Sequence, residues 1–164
     1  INAGGSKASY FLLDILDPGF DLPKQVEDHW QPTDLLYFAT PFISGATRDQ
    51  FSNQLFELFC CFYVTGFLNI LEKLHTIDIN NCTVLYPSFI FLGQAMCDME
   101  EYSADKAAGE QICAFVEKCV WGIRFYKPHF PRLRTDQSMS ILPKERHDTA
   151  SNVLQALRNL KPLY

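Results

Sequence analysis

A carboxylate–imidazole pair is the first feature of the sequence whose residue types and spacing could support chemistry. Glu72 and His75 are three residues apart, so a helix would place both side chains on one face. Carboxylate-bridged di-iron bundles need two such pairs and two further glutamates. The other histidines have no glutamate three residues before them. We therefore predict no metal site and expect His75 to lie at a helix C-terminus, where a cation is favourable.

Nucleophilic catalysis is not indicated by any motif. The sequence has no G-x-S-x-G elbow, no glycine-rich phosphate loop and no H-E-x-x-H. Six cysteines and four histidines could meet by chance in space, but a buried, unreactive thiol is the common state of cysteine. The sequence thus predicts a protein that is not an enzyme, with no catalytic residues and no cofactor.

Bases and aromatic residues alternate in one stretch, residues 124–134, which we call the basic aromatic segment. Arginine and lysine can contact phosphates while planar rings stack on bases. Arginine and tyrosine are also enriched at protein interfaces, and proline lowers the entropic cost of ordering a loop. A third interpretation is a loop whose rings pack on its own domain. The candidate partner-binding residues are Arg124, Phe125, Tyr126, Lys127, His129, Phe130, Arg132 and Arg134.

Charge is divided unevenly along the chain. Residues 118–164 carry nine Lys/Arg against three acids, a net +6, whereas residues 1–117 carry a net −11. The overall pI of 5.3 is far below the value above about 9 that is typical of dedicated nucleic-acid-binding domains. This balance favours a protein partner over a nucleic acid.

Acidic residues cluster on both sides of Ser103. Glu100, Glu101, Asp105 and Glu110 follow Asp98 closely in the sequence, and acids are favourable near a helix N-terminus. We expect them to be solvated at helix ends, or alternatively to bind a basic segment.

The elements that would position these residues are predicted to be helices. From about 47 to 75, apolar side chains cover most of a helical circumference, which is typical of a helix surrounded by others. Its most apolar part, residues 55–71, contains Glu57 and Asn69 and has only about 17 residues, at the lower limit for crossing a bilayer. We predict a buried hub helix and no membrane span.

Two further helices are predicted after the hub. Residues 83–102 combine strand-like composition with helical spacing, and we interpret them as a helix with Pro87 in its first turn. Ser103 should then cap a helix from about Ala104 to Phe125. Prolines at 128 and 131 end it, residues 128–143 form a loop or linker, and residues 144–161 form a terminal amphipathic helix.

Together these patterns predict one all-α domain over residues 1–164, an irregular bundle of about five to seven helices around the hub. The predicted function is a non-enzymatic interaction domain that binds a partner peptide or helix within an intracellular assembly, cytoplasmic or nuclear, with reduced cysteines. The alternatives are a nucleic-acid-binding module that uses residues 118–164 and a bundle that holds an apolar ligand. The sequence does not indicate an oligomeric state.

Overall fold

A three-stranded parallel sheet organises the chain. The structure is a computed structural model that describes residues 8–24, 26, 32–42, 50–79, 81–89, 92, 99–119, 122–131 and 148–160. The sheet contains β1 (Asp34–Leu36), β2 (Cys82–Leu85) and β4 (Ile123–Tyr126) in the order β1-β2-β4. A helical segment joins each strand to the next one in this sheet. The prediction of an all-α bundle is therefore wrong.

The burial of the central strand explains why the sequence did not predict the sheet. All four residues of β2 are buried, so the strand lacks the alternation of polar and apolar residues that marks a half-exposed strand. Val84 is opposite Leu35 on one side and Phe125 on the other. Pro87 follows the strand, and it ends the pairing because it has no N–H to donate. The predicted helix over 83–102 is thus wrong at residues 83–89, whereas residues 90–91 and 93–98 lie outside the described part of the chain.

A second, two-stranded parallel sheet follows directly. It pairs β3 (Ser88–Phe89) with β5 (His129–Phe130). The beginning of the predicted 128–143 linker is therefore a short strand, while residues 132–147 lie outside the described part of the chain.

The predicted hub is a helix that extends over residues 53–76 in three parts. It comprises α1 (Asn53–Cys60), a π-helical turn (Cys61–Gly66) and α2 (Phe67–Thr76). Ser52 caps it by accepting a hydrogen bond from the Leu55 N–H at 3.3 Å; the predicted cap, Thr47, lies outside the described residues. Phe67 and Leu71 are fully buried, but Leu58 is exposed, so only one face of this hub is in the core.

By length and hydropathy alone this helix could cross a membrane, because its most apolar 18-residue stretch has a mean hydropathy of 1.5. The core helix of a soluble protein meets the same criterion, and this helix packs on the sheet through Phe67 and Leu71. The hydropathy is therefore weak evidence for a membrane span.

The longest helix is α3 (Glu100–Lys118), which begins earlier and ends earlier than the sequence predicts. Glu100 and Glu101 occupy its first turn, and Ser103 lies inside it instead of capping it. Residues 123–126 form β4, so the predicted extension to Phe125 is wrong. Gly122, which directly precedes β4, has a φ of 62°, a conformation that glycine adopts without a steric penalty.

The last helix is α4 (Thr149–Leu160), inside the predicted 144–161. Asp148 precedes it and accepts the Ser151 N–H at 2.8 Å, which is the usual geometry of a helix N-cap. The terminal helix therefore exists where its amphipathic pattern placed it, with its start about five residues later.

Two hydrophobic clusters lie on opposite faces of the main sheet. Val84 belongs to one and Leu85 to the other, and successive residues of a strand point to opposite faces. Helices α2 and α3 cover the first face, and α4 covers the second. The larger cluster contains Phe20, Tyr37, Phe67, Ile70, Leu71, Leu74, Ile79, Cys82, Val84, Tyr86, Cys113, Val116, Ile123 and Phe125.

Candidate functional site

One face of α3 carries the polar side chains of the candidate site. Tyr102, Lys106 and Glu110 are spaced by four residues, so the helix aligns them in a single row. The row crosses the chain where it leaves β2, at Tyr86, Pro87 and Ser88. In parallel α/β sheets, ligands bind outside the carboxyl ends of the strands, which is where these residues meet.

Lys106 is the most enclosed of the three. Its Nζ donates a hydrogen bond to the Pro87 carbonyl oxygen at 2.8 Å and lies 3.8 Å from the centroid of the Tyr63 ring. The rings of Tyr86 and Tyr102 are 4.8 Å and 5.6 Å away. Burial lowers the pKa of Lys106 to about 7, against the opposite effect of the neighbouring Cys113 and Asp105. The ring faces and the carbonyl favour the ammonium form, so both forms of the amine are accessible near neutral pH.

Tyr102 is held by aromatic contacts on three sides. Its ring lies edge-on to those of Phe59, Tyr63 and Phe89, with centroids 5.7, 5.5 and 5.3 Å away. Burial raises the pKa of its phenol above the usual value. Tyr102 is therefore a neutral phenol at physiological pH, and it can donate a hydrogen bond.

Ser88, Glu110 and His129 form a hydrogen-bonded group beside this row. Ser88 Oγ donates to Glu110 Oε1, and His129 Nε2 lies 2.7 Å from the same oxygen. The Ser88 N–H donates to the Pro128 carbonyl at 2.9 Å, which links β3 to the chain before β5. Side-chain exposure rises from 21% at Glu110 to 46% at His129, so the group leads from the buried Ser88 towards solvent.

The π-helical turn positions the aromatic ring beneath Lys106. Tyr37 Oη donates to the Phe62 carbonyl at 2.5 Å, and Tyr86 Oη donates to the Tyr63 carbonyl at 3.2 Å. The Tyr63 hydroxyl is hydrogen-bonded to Thr40. Two side chains from the carboxyl ends of β1 and β2 thus satisfy carbonyls of a turn type that is frequent at functional sites.

A buried acid adjoins the site on the side of α1. Asp105 Oδ1 accepts a hydrogen bond from Cys60 Sγ at 2.7 Å, and burial raises the pKa of this carboxyl to about 6. Burial, together with Asp105, raises the pKa of the Cys60 thiol to about 12, so the thiol is unreactive at neutral pH. The expectation that the acids around Ser103 are solvated is wrong for Glu101 and Asp105, which are fully buried.

The structure distributes the basic aromatic segment over two strands. Phe125 joins the larger hydrophobic cluster and Phe130 the smaller, whereas Arg124 and His129 are exposed. Tyr126 and Lys127 are half-buried, and Arg132 and Arg134 lie outside the described residues. Among the described residues of this segment, 124–131, the structure brings only His129 to the candidate site. Its role in binding a protein or nucleic acid stays a prediction.

Sequence reasoning missed Ser88, Tyr102, Lys106 and Glu110 as functional residues. The spacing of four between residues 102, 106 and 110 can be read from the sequence. It does not indicate a site, because an ordinary amphipathic helix produces the same spacing. Ser88 could not be added, because its contact with Glu110 spans 22 residues and depends on β3. Within the described ranges, no three potential metal ligands are grouped, and Glu72 and His75 lie near the end of α2.

The main similarity to known proteins is in three dimensions. No family model and no curated protein matches the sequence. A short-chain dehydrogenase from Burkholderia cenocepacia in complex with NADP superposes with a TM-score of 0.67 and 18% identity, over 89% of this chain and 63% of that one. A putative D-mannonate oxidoreductase from Haemophilus influenza with bound NAD has a TM-score of 0.65 and 16% identity, over 97% and 69%.

A short-chain dehydrogenase from Streptomyces avermitilis is similar at a TM-score of 0.58 and 16% identity, over 91% of this chain and 59% of that one. The chain therefore spans less than two thirds of the length of both short-chain dehydrogenases. These similarities establish a parallel α/β fold like that of the three similar structures. The prediction of a non-enzymatic, all-α interaction domain is therefore wrong, because the similar structures are parallel α/β dehydrogenases.

Proposed function

We propose that this chain provides the substrate side of an oxidoreductase site, where hydride passes between a nicotinamide dinucleotide and an alcohol–carbonyl pair. The observation that carries the proposal is the row of Tyr102, Lys106 and Glu110 over Ser88, at the carboxyl end of a parallel strand. The similar folds support the choice of dinucleotide, because two of those structures contain NADP or NAD.

The arrangement suits the charge that develops in this reaction. Hydride addition to a carbonyl makes its oxygen negative, and a placed hydrogen-bond donor or acid lowers the barrier. Tyr102 supplies a neutral phenol for this oxygen, since burial keeps its pKa high. Lys106, fixed by the Pro87 carbonyl and the Tyr63 ring, adds positive potential when it is protonated.

The residues fit the reacting end of a dinucleotide. Tyr102 and Lys106 of α3 and Ser88 of β3 lie beside the point where the chain leaves β2, and a phenol, an ammonium and a hydroxyl are polar groups suited to an alcohol or carbonyl beside the nicotinamide. The sequence has no glycine-rich phosphate loop of the G-x-G-x-x-G type. We therefore assign the nicotinamide end to the residues that follow β1 and β2, and we assign no residue to the phosphates. When bound, the dinucleotide accepts or supplies the hydride.

An intracellular location is part of the proposal. The five described cysteines are free thiols, and unpaired thiols are the usual state in a reducing compartment. The dehydrogenase-type fold adds no support for a nuclear location over a cytoplasmic one.

The test removes the phenol oxygen. Tyr102→Phe should lower turnover by about 100-fold or more in assays of ethanol, cyclohexanol and benzyl alcohol with NAD⁺ and NADP⁺, while the melting temperature stays nearly constant. Tyr10→Phe is the matched control, because Tyr10 is 96% exposed, and it should keep full turnover. Wild-type turnover that survives in Tyr102→Phe, or a wild type with no dinucleotide-dependent turnover, would contradict the proposed function.

A further inference from the structure

We propose that Tyr63 is a positioning residue of the candidate site, whose ring face holds the side chain of Lys106 in place as an ammonium. The hydroxyl of Tyr63 has no part in this role. The inference rests on the proposed function, in which a protonated Lys106 adds positive potential to the site. It gives the π-helical turn, Cys61–Gly66, a task in that reaction.

The ring of Tyr63 lies closer to the Lys106 ammonium than the two other rings around it. Lys106 Nζ is 3.8 Å from the Tyr63 centroid, against 4.8 Å for Tyr86 and 5.6 Å for Tyr102. A ring face attracts a cation within about 6 Å of the centroid, and the attraction is larger where water is excluded. Lys106 and Tyr63 are both buried. Of the three rings, that of Tyr63 therefore contributes most to holding the charge.

Hydrogen bonds from the ends of two strands hold Tyr63 in this place. Its hydroxyl is bonded to Thr40 Oγ1, beyond β1, and its carbonyl accepts from Tyr86 Oη, beyond β2, at 3.2 Å. The ring is also perpendicular to that of Tyr102, with centroids 5.5 Å apart. Side chain and backbone are thus both anchored outside the helix. The ring face is left for Lys106, and the hydroxyl is already used by Thr40.

Lys106 needs the ring because its hydrogen bonding is incomplete. An ammonium has three donors, and the described part of the chain provides one acceptor for them, the Pro87 carbonyl at 2.8 Å. Burying an ammonium with unused donors is unfavourable, and burial lowers the pKa of Lys106 to about 7. The electron-rich ring face replaces part of the lost hydration. A weaker ring face would leave more of the amine neutral, and a neutral amine adds no positive potential.

A defined set of titratable groups surrounds Lys106. Those that face or adjoin it are Tyr102, Asp105, Glu110 and Cys113 of α3, Tyr63 of the π-helical turn and Tyr86 after β2. Asp105 and Cys113 raise the pKa of Lys106, and burial raises that of the Tyr63 phenol above its usual value. Replacing Tyr63 alone leaves the other groups in place, so a change in the titration of Lys106 reports the ring.

Fluorinated phenylalanines test the ring face with little change of volume. Each fluorine withdraws electron density from the ring and so weakens its attraction for a cation. Tyr63→Phe is the reference, and 4-fluoro-, 3,5-difluoro- and 3,4,5-trifluorophenylalanine then replace residue 63 in turn. The ¹³Cε resonance of Lys106, assigned by its absence in Lys106→Met, is followed from pH 5 to 9 in protein labelled at lysine Cε.

The titration midpoint of Lys106 should follow the number of fluorines. Tyr63→Phe keeps the ring face, so its midpoint should stay within about 0.3 pH units of the wild type. The three fluorinated proteins should then show midpoints that decrease in order, by about 0.5–1 pH unit in total. The direction is downward because the ring face favours the protonated amine, and a weaker ring face lowers the pKa of Lys106.

Turnover of the same three alcohols provides the second readout. Relative to Tyr63→Phe, the trifluorinated protein should lose about three- to tenfold at pH 8 and less than about twofold at pH 6. A pKa that falls from about 7 removes most of the remaining ammonium above that pH and little of it below. A general loss of packing would instead lower turnover equally at both pH values.

The control is the same fluorinated series at Phe67, a buried ring of the same 53–76 helix. Phe67 packs on the rings of Tyr37, Tyr86 and Phe125. No lysine in the described ranges lies over it. Fluorination at this position should change neither readout.

The outcomes distinguish this inference from the proposed function. A Lys106 midpoint that stays constant through the series at position 63 overturns the role of Tyr63, even where turnover requires Tyr102. A midpoint that falls already in Tyr63→Phe would assign the effect to the hydroxyl and overturn it as well, as would an equal decrease in the series at position 67. A wild type without dinucleotide-dependent turnover overturns the proposed function, and the part of Tyr63 in that reaction with it.

Discussion

At the scale of single residues, Asp105 is a buried carboxylic acid whose loss of hydration is only partly offset by hydrogen bonds. It is fully buried between α3 and α1, and its Oδ2 atom has no hydrogen-bond partner in the described part of the chain. An ionised carboxylate in such a place is unfavourable unless it is paired. The thiol of Cys60 is a weak donor, so its hydrogen bond offsets only part of the cost of burying the charge, and burial raises the pKa of Asp105 despite it.

Asp105→Asn should therefore stabilise the protein above pH 6. The folded pKa of Asp105 is raised from 3.8 to about 6, so its contribution to stability is fully present below pH 3.8 and is lost as the pH rises through 6. The amide removes the charge and keeps an oxygen for Cys60. We expect a gain of about 1–3 kcal/mol at pH 7.5, measured by urea unfolding from pH 4 to 8.

The control for this change is Asp21→Asn, an exposed acid whose carboxylate lies 3.5 Å from Lys73 Nζ. It should change stability by less than about 0.5 kcal/mol at every pH. If wild type and Asp105→Asn lose stability in parallel between pH 4 and 6, Asp105 does not titrate in this range.

At the scale of elements, phenol hydroxyls join the sheet to the helix beside it. Tyr37 and Tyr86 follow β1 and β2, and each donates to a carbonyl of the π-helical turn. Tyr86 also lies against Gly109 of α3. A single buried side chain thus sets the separation of β2, the π-helical turn and α3, which together position Lys106.

Gly109→Ala tests this packing. A Cβ atom at Gly109 would lie 1.9 Å from Tyr86 Oη and 2.4 Å from Cζ, so the buried Tyr86 ring must move. Alanine is a better helix former by about 1 kcal/mol, but overpacking should outweigh this and leave a net loss of about 1–3 kcal/mol. Thermal unfolding followed by circular dichroism measures the change.

Two further variants test whether overpacking causes the loss of stability in Gly109→Ala. Ala104→Gly, at an exposed position of the same helix, should lose about 1 kcal/mol from propensity alone. Adding Tyr86→Phe to Gly109→Ala should recover part of the loss, because the nearest atom is then gone. A Gly109→Ala protein as stable as the wild type would show that α3 and β2 can separate freely.

At the scale of the molecule, the sequence predicted helices better than it predicted their assembly. Helices 53–76 and 149–160 carry long apolar patterns and were found. The strands have two to four residues, too short for a period of two to be distinguished from a helical pattern. The site was not predictable because Ser88, Glu110 and His129 belong to β3, α3 and β5, which meet only after the parallel strands pair.

The two hydrophobic clusters on opposite faces should unfold as one unit, because β2 contributes Val84 to one and Leu85 to the other. Leu160→Ala removes buried side-chain volume from α4 and should cost about 2–4 kcal/mol, whereas Leu154→Ala, at an exposed position, should cost under about 1 kcal/mol. Helical circular dichroism and labelling of the buried Cys113 thiol, which lies on the opposite face, should report the same urea midpoint in wild type and in Leu160→Ala. A Cys113 thiol that stays protected after the helical signal of α4 is lost would show that the two faces unfold independently.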